Sequence, residues 1–160
     1  CSSDLSENSA ILEDGVRISM KSDYGLRAMM ELASAYGNRP LQTSEIAARR
    51  GIPESYLEQL LTVLRKAGYV ASVRGPQGGH SLAVPPSGVT AGDVMRALEG
   101  PLVVVECVGP SDGCQVSPEC AIRDLWVEVR GAVEAVLDGV TIEDLASAQL
   151  ARDGSIMYHI

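Results

Sequence analysis

The chain has 160 residues, 46% of them hydrophobic and 21% charged, with a formal net charge of −8. That length can bury one real core, and no apolar run approaches the roughly 18 residues that a membrane span needs. The acidic total argues against a nucleic-acid partner until its distribution is counted. Residues 16–85 hold nine Lys or Arg against five Asp or Glu, whereas residues 86–160 hold four against twelve. A basic N-terminal half is the pattern that matters for phosphate contact.

The first fifteen residues, CSSDLSENSAILEDG, are polar and acidic without periodicity. They lack the basic start and apolar core of a signal peptide, so they read as a disordered leader or extension, and the expected compartment is the cytoplasm. In that compartment four cysteines are thiols or metal ligands more readily than disulfides. Cys1, in the leader, is set aside.

Order begins near Val16. In SMKSDYGLRAMMELASAYG the apolar residues Leu26, Met29, Met30, Ala33 and Tyr36 fall at helical spacing, with Ser19 or Ser22 as cap and Gly37 as stop. A short second helix, TSEIAARRG, is capped by Thr43 or Ser44, turns Ile46 and Ala47 inward and closes at Gly51. Pro53 opens a third, where its missing N–H costs nothing, and Leu57, Leu60, Leu61 and Leu64 form the buried stripe before Gly68. Two short helices joined by a Gly-Ile-Pro turn make a helix-turn-helix. The β-prone runs YVASVR and HSLAV flank the breakers GPQGG, and a hairpin in that place is a wing.

The predicted fold class is therefore mainly α with a small β wing: a winged helix-turn-helix domain plus a long C-terminal dimerisation helix. The second helix of such a unit enters the major groove, with the residues near its N-terminus at the base edges. Gln59 can pair with adenine and Glu58 can accept from cytosine N4, Ser55 and Tyr56 suit phosphate, and Arg65 completes the polar face. An ordinary solvated helix face suffices for Glu54 and Thr62. At the wing tip, Arg74 with Gly75 and Pro76 is placed for the minor groove, where narrow A·T tracts attract arginine. His80 reads as a polar residue near DNA, not a metal ligand.

After Pro85-Pro86, VTAGDVMRALEGPLVVVE holds one more short helix and a strand-like run. The loop that follows carries Cys107, Cys114 and Cys120, separated by six and five residues, among Gly, Pro, Ser and Asp. This spacing matches no zinc ribbon. Three thiols in one loop of breakers can still converge on one metal centre, since thiolates are the soft ligands that iron–sulfur clusters select, whereas unligated cysteines usually sit buried in regular elements. From Cys120 the helical period returns: Ile122, Leu125, Trp126, Val129, Val133, Val136 and Leu137 make an apolar stripe over about five turns. Such a helix needs a partner, and its copy in a second subunit is the simplest one. The remainder, from Thr141, holds a short capped helix and a frayed end, with His159 in the tail. The expected organisation is a leader at 1–15, a winged helix at 16–86, a cluster loop and dimerisation helix at 87–148, and a flexible tail at 149–160.

The runs ISMKSDYGLRAMMELA and IPESYLEQLLTVLRKAGYVASVRGPQGGHSLA, and the cysteine loop leading into CAIRDLW, resemble the IscR/NsrR family of bacterial regulators from about Ile18 to Ala148. The resemblance implies a homodimer on a palindromic double-stranded operator. It also implies an iron–sulfur cluster, 2Fe–2S or 4Fe–4S, held by the three cysteines and one further ligand. A histidine three residues beyond the last cysteine completes one version of the family's site; Arg123 stands there in this chain. The other version uses an aspartate of the first helix, and SDYGLR places Asp23 at that position, reaching over from the partner subunit. The alternative role for Asp23 is a first-turn carboxylate that complements the helix dipole. The first cysteine interval is one residue longer than is usual in the family.

The leading functional expectation is a transcriptional regulator, a repressor in the first instance, whose operator binding is switched by a cluster sensing redox state, nitric oxide or iron–sulfur status. The alternatives are a regulator of the same fold that uses cysteine thiols or structural zinc, and an iron–sulfur electron carrier or redox enzyme. The helix-turn-helix, the wing and the lack of a nucleophile–base pair or cofactor loop argue against an enzyme.

Overall fold

The computed structural model describes residues 18–102 and 120–157. The leader, most of the strand-like run, Cys107, Cys114 and His159 lie outside the described residues. In chain order the elements are α1 (Met20–Ser34), α2 (Thr43–Arg50), α3 (Glu54–Lys66), β1 (Val70–Val73), β2 (Gly79–Leu82), a 3-10 turn at Pro86–Gly88, α4 (Ala91–Glu99), α5 (Ala121–Asp138) and α6 (Ile142–Met157). This is the expected helical chain with a small wing.

Ser19 starts α1, its hydroxyl accepting from the Lys21 N–H at 3.1 Å. Met29 is fully buried, but the buried face is Ser22, Gly25, Ala28, Met29, Glu31 and Leu32. Leu26 and Ala33 pack at its margin, and Tyr36 is 47% exposed. Tyr36 lies beyond Ser34, the last helical residue, so the helical period no longer assigns it a face. Two polar residues share the buried face because each has a partner. Ser22 donates to Glu99 Oε1 of α4 at 2.5 Å. Glu31 accepts from Arg49 Nη1 at 2.9 Å and from Arg50 Nε at 2.6 Å, joining α1 to α2. Close approach of α1 to α4 also needs Gly25, where a Cβ would overlap the side chain of Leu98.

The helix-turn-helix follows the predicted outline with one change of cap. Gln42, not Thr43 or Ser44, is the N-cap of α2. The Glu45 carboxylate, three residues on, accepts from the Gln42 N–H at 3.0 Å, and this return contact moves the start of the helix back. Gly51 ends α2 at φ 64, in the left-handed region that glycine enters freely. In α3, Leu57, Leu60, Leu61 and Leu64 are all 2% exposed or less. Each buried leucine stabilises the fold by about 1.5–3 kcal/mol, so this stripe fixes which face of α3 remains outside.

The hairpin is antiparallel, with Val70 opposite Leu82 and Val73 opposite Gly79. Val70 and Leu82 enter the core and root the wing. The C-terminal part departs furthest from expectation. Instead of a short helix and a frayed end, α6 runs for 16 residues and packs along α1. Its first turn is capped reciprocally by Thr141 and Asp144, and Ile142 is completely buried. Backbone bonds from Ala91 N to Val140 O and from Ile142 N to Val89 O, both 2.9 Å, stitch the segment between α5 and α6 to the start of α4. By contrast α5 has no buried residue, and Ile122, Leu125 and Val136 are 63%, 53% and 67% exposed. The chain's own core does not take up the stripe.

Glu31→Ala should lower unfolding stability by about 2–3 kcal/mol, because two arginines lose one buried carboxylate. Asp23→Ala, which breaks a half-exposed pair with Arg27, should cost less than about 1 kcal/mol. Urea unfolding of both variants checks this; equal losses would mean that the Glu31 contacts are not structural.

Candidate nucleic-acid interface

With the leucine stripe turned inward, the outer face of α3 presents Ser55, Glu58, Gln59, Arg65 and Lys66, all exposed. Thr62 is exposed too, but its hydroxyl donates to the Glu58 carbonyl at 2.8 Å and so is occupied by its own helix. Tyr56 differs from its neighbours because it is half-buried. Its ring meets Tyr24 of α1 edge-on at 5.9 Å, and the Arg27 guanidinium lies 5.8 Å from the centre of the Tyr24 ring. Arg27 in turn pairs with Asp23 at 2.8 Å and donates to the Arg50 carbonyl at 3.3 Å. The first turn of α3 is thereby fixed to α1 by stacked side chains that the sequence reading did not connect.

Arg74, Gly75 and Pro76 occupy the wing turn and are exposed. Gly75 adopts φ 112 and its carbonyl accepts from the Gly78 N–H at 2.9 Å, closing the turn. A Cβ at Gly78 would strike the Val73 carbonyl, so the backbone of the turn itself requires glycine there.

His80 is held more tightly than the sequence suggests. Its main chain pairs with Leu41 (His80 N to Leu41 O 2.7 Å, Leu41 N to His80 O 2.9 Å). The ring bonds Thr43 Oγ1 through Nε2 at 3.0 Å and Ser72 Oγ through Nδ1 at 2.9 Å. Burial pushes its pKa below the ordinary value, the positive charge of Arg65 adds to that, and Glu58 opposes both. No local pattern marks such a residue, because its partners lie 37 and 8 positions away.

Of the expected metal ligands, Cys107 and Cys114 lie outside the described residues. Cys120 is a half-buried free thiol at the N-cap of α5, its carbonyl accepting from the Arg123 N–H at 3.0 Å. Asp23 sits in the first turn of α1 with its carboxylate paired to Arg27 and partly exposed. Among the described residues no three His, Cys, Asp or Glu side chains come together as a metal site, and none of the described helices is long and apolar enough to cross a membrane.

The profile of the Rrf2 family, described as an iron-dependent transcriptional regulator, matches residues 18–148. The chain belongs to the Rrf2 family. It is 43% identical over 145 residues to the HTH-type transcriptional regulator CymR of Bacillus subtilis, covering 91% of this chain and all of that protein. The solved structure of CymR, described as the global cysteine regulator of B. subtilis, aligns with a TM-score of 0.69 at 44% identity, covering 83% of this chain and 98% of CymR. The structure of T. potens IscR aligns with a TM-score of 0.71 at 39% identity, covering 86% and 90%. As an Rrf2 protein the chain is a winged-helix, DNA-binding transcriptional regulator, and its relatives are regulators, not enzymes.

In the Rrf2 fold of this chain the strap before α2 is set by Arg39 and Glu45, paired at 2.8 Å. The Glu45 carboxyl is held down to about 2, first by the Arg39 hydrogen bond and then by the Gln42 amide. A carboxyl with a lowered folded-state pKa stabilises above its unfolded value and loses that contribution as pH falls through about 2. In Arg39→Ala, Glu45 should titrate nearer 4.5 yet stay below it, since the Gln42 contact remains. An NMR titration that finds Glu45 unmoved by the substitution would remove the ion pair from this account.

Proposed function

We propose that this Rrf2 regulator is cytoplasmic, grips a palindromic operator as a homodimer, and has that grip set by an iron–sulfur cluster on Cys107, Cys114 and Cys120, with Asp23 of the partner subunit as the fourth ligand. The observation that carries the proposal is the setting of α5. Its N-cap is the last loop cysteine, no residue of its apolar stripe is buried among the described residues, and its far end is fixed to the DNA-binding body. That fixation includes Arg96 of α4, which donates to Asp138 Oδ1 at 2.7 Å, and the bond from Ala91 N to Val140 O. A change at Cys120 is therefore delivered along a pairing helix to the winged helix.

The donor chemistry fits. Three thiolates suit iron, and the Asp23 carboxylate is partly exposed, though it must leave Arg27 to bind. A bound cluster supplies a centre whose integrity depends on redox state, nitric oxide or iron supply. The residues do the rest: the cysteines tie the loop to α5, and Asp23 links the partner's α1 to it. Because a carboxylate is the hardest of the four ligands, Asp23 is the first contact released. On DNA, Gln59 and Glu58 read base edges, Ser55, Tyr56 and Arg65 meet the backbone, and Arg74 with Gly75 and Pro76 enters the minor groove. The family description as iron-dependent and the IscR relative support the cluster reading. The CymR relative, a global cysteine regulator, favours the second reading, a regulator of this fold that acts through thiols or structural zinc.

Anaerobically purified protein should be coloured and contain iron and sulfide, and Cys107→Ala, Cys114→Ala or Cys120→Ala should each bleach it. Asp23→Ala should leave a cluster that forms but decays faster. Colourless protein carrying stoichiometric zinc, or no metal, after reconstitution would transfer the proposal to the second reading.

The DNA assignments separate by salt and sequence. Arg74→Ala should weaken binding across all duplexes and flatten the salt dependence by about one unit of slope, whereas Glu58→Ala should relax sequence preference. Competition titrations at several salt concentrations check this; an Arg74→Ala protein that tracks the parent throughout would rule out the wing contact.

A further inference from the structure

The hairpin of a winged helix can contribute to DNA binding only if its angle to the recognition helix is fixed. Here β1 and β2 form a two-stranded ribbon rooted by Val70 and Leu82, and its free end is exposed. An isolated ribbon of this size is marginal, so something must hold it. The main-chain bridge between Leu41 and His80 is one restraint. It requires close backbone approach, since a Cβ on Gly79 would lie 2.5 Å from the Leu41 carbonyl oxygen. The imidazole of His80 is the other. It spans from Ser72 of β1 to Thr43 at the head of α2, so one ring joins both strands of the wing to the helix-turn-helix.

We propose that His80 is the positioning residue of the wing, holding the hairpin at the angle that puts Arg74 on DNA, and that its imidazole takes up a proton from solvent as DNA binds. This rests on the reading of α3 and the wing as the DNA surface. The geometry permits both ring states. A neutral imidazole donates at one nitrogen and accepts at the other, while an imidazolium donates at both. The Thr43 and Ser72 hydroxyls can each donate or accept: one donates to the bare nitrogen of the neutral ring and turns to accept when that nitrogen is protonated, so protonation breaks neither bond. The charged groups that act on the ring are Arg65 and Glu58, both of α3. On the α2 side, Glu45 is already paired with Arg39. Without DNA, burial and Arg65 disfavour the charged ring. Phosphates brought against α3 and the wing offset Arg65 and favour the charged ring. Since the bound state then holds one more proton than the free state, affinity rises as pH falls through the ordinary histidine range.

The test uses the full chain and a duplex that the parent protein enriches from a random-sequence pool, with binding titrated at about pH 8 and at about pH 6. The variants are His80→Ala and His80→Gln, the second keeping an amide at the Nε2 position for Thr43 but unable to titrate. His80→Ala should bind about tenfold more weakly at the higher pH and should also lack the acid gain, so its deficit widens at the lower pH. His80→Gln should stay within about twofold of the parent at the higher pH and lack the acid gain, which in the parent should be about fivefold larger. Circular dichroism melts confirm folding; if His80→Ala does not fold, Ser72→Ala, which cuts the tie to β1, replaces it with the same expected loss at the higher pH. Variants that match the parent in affinity and in pH slope would overturn the proposal while leaving the DNA surface intact. Failure of the parent to enrich any duplex would instead refute the DNA surface, and the proposal with it.

Discussion

Two backbone hydrogen bonds, Ala91 N to Val140 O and Ile142 N to Val89 O, decide where the C-terminal helices sit in this fold. They bring the end of α5 to the start of α4 and launch α6 across α1. Because Val89 and Ile142 are completely buried, the bonds are shielded from water and fraying them would expose the core. The consequence is that the C-terminal segment is not an appendage. Its final helix belongs to the core of the DNA-binding body, and α5 is a strut that leaves this body and comes back to it. The acidic C-terminal half and the basic N-terminal half are thus parts of one fold. The junction is also crowded: a Cβ at Gly92 would collide with Asp138, the residue that holds Arg96.

The polar interior has a similar logic. Glu31 and Ser22 sit on the buried face of α1, where hydrophobic patterning would place apolar side chains. Both are satisfied by groups from other elements, Glu31 by Arg49 and Arg50 of α2 and Ser22 by Glu99 of α4. Such contacts add modest net stability compared with apolar packing, but they penalise any other register of α1 against its neighbours, since a shifted helix would bury an unpaired carboxylate. Register matters here because the ring of Tyr24, on the same helix, steadies Tyr56 in the first turn of α3. Helix α3 thus inherits its position from α1.

What the sequence made legible follows from distance along the chain. The leucine stripe of α3, the Gly51 and Gly68 stops, the Pro53 opening and the hairpin are local, fixed by periodicity and turn chemistry within a few residues, and they are found where expected, whereas α1 ends at Ser34, short of the expected stop at Gly37. The cap at Gln42 was missed although it is local, because Thr43 and Ser44 are commoner caps and only the return of Glu45 singles out the residue before them. The length of α6, the Glu31 clamp and the tie from His80 to Thr43 depend on partners 18 to 50 or more positions away, for which one sequence offers no period to read. Candidate DNA residues of α3 were legible for a related reason: once the inward stripe is known, the outward set is its complement. The face of α1 was read less well, because two of its inward positions are polar.

The architecture also limits how large a switching motion need be. Helix α5 has 18 residues, so it is about 27 Å long at 1.5 Å per residue. A tilt of about 5° at the end near Cys120 displaces the other end by roughly 2 Å, comparable to the helix shifts that carry allosteric signals. Two recognition helices must meet half-sites at a fixed separation near one turn of DNA, about 34 Å, so a displacement of that size on each side is enough to misalign base contacts. The basic surplus of each winged helix is small, nine positive groups against five negative in residues 16–85. In the proposed dimer, phosphate attraction alone would hold DNA weakly, so correct spacing would supply a large share of the operator affinity. A regulator built as proposed would gain its sensitivity from geometry: a modest electrostatic grip, two paired winged helices, and one exposed strut whose capping residue is a thiol.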